Sequence, residues 1–218
     1  MRRTLKEGLR WPLAVPARMI LALLACLVLA SAAVPRPATA HPHVFVDCEA
    51  SLIFNDAGLA VLRQTWHFDE FFSAMILGDL GLSPKNSLDE TAQRRVRTHA
   101  FDNLKNFGYF TYIYLDGKEL PTPDPTRFSA RVEHGQLVYE FDMPLSAAAS
   151  GSPRSLTFAV YDESFYTFMD FPPREIGFDG AHDAFAISWD AREQTDKRYY
   201  FGQITPVVVD VTFTRNRP

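Results

Sequence analysis

The tripeptide His41-Pro42-His43 sets two imidazoles two residues apart. If His41 is the first residue of the working chain, its α-amine joins its imidazole as a bidentate chelate. His43 then adds a further nitrogen. These donors shed their protons readily near neutral pH, as metal ligands must. They suit zinc, nickel, cobalt or copper, with copper(II) bound tightest in the usual order. Pro42 has no amide proton. The square-planar amino-terminal copper and nickel site, which ionises the second amide, is therefore blocked. What remains is a brace from His41 with His43, or His43 with carboxylates. The competing reading is a pair of histidines in a loose terminus.

Carboxylates stand within reach of that start. In an extended chain residues 43, 45, 47 and 49 share a face, so His43, Asp47 and Glu49 can converge around Phe45. Asp69 and Glu70 follow Trp66-His67-Phe68 at the head of an expected helix. There they serve as cap and dipole partners first, and as ligands second. Asp162, in Tyr161-Asp162-Glu163-Ser164-Phe165-Tyr166, either completes a site or turns the chain over the core. The candidate metal set is thus His41, His43, Asp47, Asp69, Glu70 and Asp162, with no catalytic residue assigned. His67 and His99 read as surface or packing residues, and His134 and His182 as turn residues. The chain has no phosphate loop, no G-x-S-x-G elbow, no H-E-x-x-H and no paired C-x-x-C.

The segment before His41 bears on whether an amine is present there. Arg2, Arg3, Lys6, Arg10 and Arg18 precede the uncharged run 19–33, and Ala38-Thr39-Ala40 closes the segment. A basic start, a short apolar run and small residues at the cut make a secretory signal peptide. The run falls short of the roughly 20 residues that a membrane span takes. An uncleaved anchor and a lipoprotein built on Cys26 are the alternatives. Cleavage after Ala40 leaves residues 41–218 as a single periplasmic domain, with Cys48 as its one thiol. The full chain has 22 basic and 26 acidic residues. The leader removes six and one, which leaves 16 and 25 and a formal charge of −9. Such a balance argues against nucleic acid and anionic membranes as partners, and it suits cations.

The elements that must hold these residues are mostly strands. Val44, Val46, Cys48, Ala50 and Leu52 alternate with other residues, and Asn55-Asp56-Ala57-Gly58 is turn chemistry. Leu59–Phe68 answers as a second strand. Asp69 caps a helix whose apolar face is Phe71, Phe72, Met75, Ile76 and Leu80. Ser87-Leu88-Asp89-Glu90 reads as a capping box. The helix behind it aligns Ala92, Val96, Ala100, Leu104 and Phe107, and Gly108 ends it. Tyr109–Leu115 is a strand turned by Asp116-Gly117. A proline loop follows at 121–125. A hairpin spans 128–141 about His134-Gly135, and residues 146–153 form a small-residue loop. Residues 156–161 and 207–214 are further strands. Between them 165–190 carries aromatics, the Pro172-Pro173 break and glycine turns. The pattern predicts a mainly β, antiparallel, sandwich-like single domain with one or two helices inserted.

Three stretches, HPHVFVDCEASLIFNDAGLAVLRQTWHFDEFF, NLKNFGYFTYIYLDGKEL and YDESFYTFMDF, resemble the family DUF1007. His41, His43, Asp47, Trp66, Asp69, Glu70, Tyr161 and Asp162 match its motif stretches. Phe45 stands where an aromatic such as Trp is common. The resemblance implies a periplasmic component of ABC-type transport, in the company of nickel/cobalt permeases and other metal-transport systems. The expected function is a periplasmic accessory protein that binds a divalent transition metal (zinc, nickel, cobalt or copper) for an inner-membrane permease or ABC transporter. Two competitors remain. One is a metal-free β adaptor that docks a permease through exposed aromatics. The other is a copper redox enzyme braced by His41, which needs an open coordination position.

Overall fold

A computed structural model describes Ile20, Leu21, Leu24 and residues 43–83, 87–171 and 176–216. The expected cleavage site, His41, Pro42 and the Pro172-Pro173 break lie outside the described residues. The chain divides into two compact units, Met1–Ala40 and His41–Pro218. In the second unit, β1 (Val44–Asn55) and β2 (Gly58–Phe68) form the expected hairpin. Asn55 Oδ1 makes its turn by accepting the amides of Ala57 and Gly58 at 2.8 and 3.1 Å. The helix α1 (Glu70–Asp79) follows, then α2 (Glu90–Val96). Next come β3 (Thr111–Leu115), β4 (Lys118–Leu120), β5 (Arg127–Glu133), β6 (Gln136–Ala148) and β7 (Arg154–Val160). The last strands are β8 (Thr167–Asp170), β9 (Ile176–Gly180), β10 (Phe185–Glu193) and β11 (Val207–Arg215).

Two sheets share one core. The first runs β5-β6-β2-β1-β8, with β9 also on β1, and the second runs β10-β11-β7-β3-β4. The expected mainly β, sandwich-like class holds, with one refinement. Both β8 and β9 pair with β1 in parallel, along Val44–Asp47 and Ala50–Phe54, so the first sheet is mixed. On β1 the residues Val44, Val46, Cys48, Ala50, Leu52 and Phe54 are buried, and the alternate positions face outward. Phe54 meets Phe213 of the opposite sheet edge-on at 5.5 Å.

Four local expectations change. The first concerns α1, which buries Ser73 and Leu77 and half-buries Phe72, Ile76 and Leu80, while Phe71 and Met75 are exposed. The buried line is therefore rotated away from Phe71 and Met75. Second, Asp89 rather than Ser87 caps α2, accepting the Ala92 amide at 2.8 Å. Third, the long helix does not stay α-helical. A π turn occupies Arg97–Phe101 and a 3-10 segment occupies Asp102–Phe110. The extra residue of a π turn shifts the following side chains by roughly 100°. Phe101 thus enters the core in place of Ala100, and Phe107 is left largely exposed outside it. Fourth, β6 continues to Ala148, which shortens the expected small-residue loop to 149–153. It can do so because β2 opens on Gly58, where a Cβ would lie 2.4 Å from the Ala147 carbonyl oxygen.

One buried amide joins the sheets. Gln64 on β2 donates through Nε2 to Thr111 Oγ1 on β3 at 3.0 Å, and its Oε1 accepts the Trp66 indole N–H at 3.0 Å. Thr111 Oγ1 in turn donates to the Tyr109 carbonyl at 2.7 Å. Every member is satisfied, so the network specifies how β2 and β3 face each other. Cys48 is buried on β1, and burial, with Asp47 and Asp170 adding to it, pushes its thiol pKa well above the usual range. A thiol in that state is a packing residue.

Gln64→Leu is expected to lower unfolding stability by about 2–3 kcal/mol in urea titrations, because the Trp66 donor loses its buried acceptor. A loss within about 0.5 kcal/mol would show that the amide link is dispensable. Cys48 is expected to resist thiol reagents in the folded protein and to react once it unfolds.

Candidate functional site

The start of β1 is held from both sides. The amides of His43 and Val44 donate to the Tyr166 carbonyl at 2.9 and 3.3 Å. On the other flank the Phe45 amide donates to Asp69 Oδ2 at 2.9 Å, and the Asp69 amide returns a bond to the Phe45 carbonyl at 2.9 Å. Asp69 Oδ1 accepts the Phe72 amide at 2.8 Å, so the same side chain also caps α1. Asp162 organises the loop that carries Tyr166. Its Oδ1 accepts the Ser164 amide at 2.9 Å and the Ser164 hydroxyl at 2.7 Å, and its Oδ2 accepts the Thr167 amide at 3.0 Å. A buried carboxylate needs such partners.

The expected site residues fall into groups. His43 is exposed, with its ring 4.9 Å from the Tyr166 ring. Asp47 is exposed on the same face of β1 and lies in register with His67 on β2 and Asp170 on β8. Glu49 stands two residues on, 3.5 Å from His67 Nε2. That face therefore carries carboxylates with two imidazoles, His43 and His67, the first of which the alternation of β1 implied. Asp69 and Asp162 flank the strand and spend their oxygens on backbone amides. Glu70 is exposed in the first turn of α1. His41 lies outside the described residues. Among the described residues, no group of three or more His, Cys, Asp or Glu side chains is placed to hold a metal ion.

Beneath the start of β1 the structure shows a feature that no sequence motif announced. A cavity of about 480 Å³ opens between the sheet and the helical segment. Val44, Trp66, Phe68 and Tyr139 form its buried floor. Phe72 and Ile76 of α1 form one wall, and His99, Ala100, Leu104 and Phe107 lie across it. Asp162, Ser164, Tyr166 and Thr167 edge it on the β8 side. Each of the three stretches that carry the family resemblance contributes to it. The only sequence signal was the stripe Ala100, Leu104 and Phe107, read as core-facing. The π turn places these residues over the cavity instead.

Asp162→Ala is expected to cost about 2–3 kcal/mol in a urea melt, since three donors lose one charged acceptor. Asp69→Ala is expected to cost about 1 kcal/mol or more, as loss of a cap does. Both variants should speed hydrogen exchange at the amides their carboxylates hold, Thr167 and Phe45 respectively. Glu70→Ala should stay within about 0.5 kcal/mol.

Relatives match somewhat over half of this chain. A protein of Spirochaeta aurantia, described as an uncharacterized 15.5 kDa protein in the trpE 3′ region, is 29% identical over 140 residues. That match covers 62% of this chain and 96% of the relative. An uncharacterized protein of Haemophilus influenzae is 25% identical over 134 residues, which are 61% of this chain and 63% of that protein. Among solved structures, acetylcholine-binding protein type 1 of Biomphalaria glabrata gives a TM-score of 0.44 at 16% identity, over 91% of this chain and 98% of its own. The family described as "Protein of unknown function (DUF1007)" matches residues 26–190, which takes in β1 to β9 and most of β10. The chain belongs to the DUF1007 family.

Proposed function

We propose that this protein is an exported accessory component of a metal transport system, binding a divalent transition metal through His41 and His43 in the periplasm. The observation that carries the reading is the anchoring of His43. Its amide is tied to Tyr166, and the next two residues are tied to Tyr166 and Asp69. A histidine whose backbone is held in this way has less freedom to lose on binding a metal. Asp47 stands on the same face as a carboxylate donor, and Glu70 is exposed at the head of α1. Asp69 and Asp162 act in this reading as the scaffold that holds the strand at His43. Imidazole and amine nitrogens with a carboxylate suit zinc, nickel, cobalt or copper, which are the cargo. The partner is an inner-membrane permease or ABC transporter.

A second reading has its own support. Phe71, Phe107 and Phe201 are 78%, 64% and 89% exposed. Contiguous exposed apolar patches mark contact surfaces, and these rings are the candidates for one in a metal-free adaptor that docks a permease.

The test is intact mass and metal content of the protein purified from a periplasmic extract, followed by titration with zinc, nickel, cobalt and copper. A chain starting at His41 with about one equivalent of metal is expected. His41→Ala and His43→Ala should each weaken binding at least about tenfold. A protein that takes up none of the four metals sinks the metal reading. Permease co-purification that survives both chelation and loss of the two histidines favours the adaptor.

A further inference from the structure

The cavity beneath β1 has the dimensions of a ligand site. Its volume of about 480 Å³ falls within the roughly 300–1,000 Å³ typical of small-molecule pockets. Its floor is deep, since Val44, Trp66, Phe68 and Tyr139 are each at most 5% exposed. Its charge is defined as well. Among the described residues no lysine or arginine lines it, and the one carboxylate there, Asp162, has both oxygens engaged by Ser164 and Thr167. An anionic ligand would lose water there without gaining a counter-charge, and a cation would meet only a carboxylate already committed to three donors. The polar residues on the helical side are His99 and Asn103, whose Nδ2 donates to the His99 carbonyl at 3.1 Å and whose Oδ1 remains an acceptor.

The backbone over the cavity supplies a separate observation. It combines the π turn Arg97–Phe101 with three consecutive left-handed residues, Gly108, Tyr109 and Phe110, at φ of 58°, 49° and 51°. Glycine adopts such angles without strain, but Tyr109 and Phe110 do not. Strained residues and π turns gather where a backbone clamps a ligand. Here they set Phe107 and Phe110 along the cavity.

We infer that this cavity binds a neutral, mainly apolar small molecule, with its body against Trp66 and Phe68 and a single polar group toward His99 and Asn103. The site is separate from the terminal histidines and stands whether or not they bind metal.

N-phenyl-1-naphthylamine, a neutral probe that brightens in apolar surroundings, tests this on the purified protein with a chelator present. Saturable binding of one equivalent is expected. Ala100→Trp, which fills the cavity, should weaken binding at least about tenfold. Phe107→Ala, at an exposed position that the fold tolerates, should weaken it several-fold. The anionic analogue 8-anilinonaphthalene-1-sulfonate should bind at least about tenfold more weakly than the neutral probe. The inference is overturned if the wild-type protein shows no saturable binding. It is also overturned if the variants bind like wild type, which would place the probe on exposed rings elsewhere. Equal affinity for the anion overturns the assignment of a neutral ligand.

Discussion

Backbone pairing along β1 is the constraint from which the rest of this structure follows. The strand hydrogen-bonds to β2 on one edge and to β8 and β9 on the other. It is therefore an interior strand over most of its length, and its inward face must be apolar throughout. A slip of one residue would turn Val44, Val46, Cys48, Ala50, Leu52 and Phe54 to water and bring His43, Asp47 and Glu49 inside. The burial of six apolar residues, set against the cost of burying charge, fixes the register. The outward acidic face is a consequence of that choice. The parallel partners are short, four and five residues, so each needs support from outside its own ladder.

That support comes from carboxylates used as backbone acceptors. Asp69 satisfies an amide at the head of α1 and another on β1, so helix and strand are tied by one side chain. Asp162 gathers the loop before β8, and the Tyr166 carbonyl of that loop receives the amides of His43 and Val44. Charge-assisted bonds to amides are about twice as strong as neutral ones. They also fix direction, which apolar packing does not. The polar economy of this end of the sandwich thus serves position first. The residues that remain available to a cation are those that point outward.

The cavity and the histidine start are neighbours without being the same chemistry. Val44 is in its floor, and His43 stands next in the chain, outside. Trp66 links the cavity floor to the inter-sheet network through Gln64. The helical side departs from regular geometry just where it covers apolar rings. The π turn sends Phe101 into the core and leaves Ala100, a small residue, above the hollow.

The sequence by itself determined what depends on short-range regularity. Period-2 alternation named the inward face of β1. The Asn55, Asp116-Gly117 and His134-Gly135 turns announced their hairpins, and Asp69 announced its helix, because each acts on amides within a few residues. The same local rules read Ser87 as a cap, although Asp89 stood two residues nearer the helix with the stronger acceptor. Tertiary structure decided the remainder. Parallel pairing of β8 and β9 joins segments more than a hundred residues from β1, and no pattern in 165–190 encodes that distance. The docking of the Asp162 loop on the start of β1, through the Tyr166 carbonyl, and the route of the helix through a π turn were settled by what the core accepted. Phe101 fills the interior better than Ala100, and a periodicity counted at 3.6 residues cannot see that exchange. The cavity has no motif because it is space left between elements, and only their packing gives it walls.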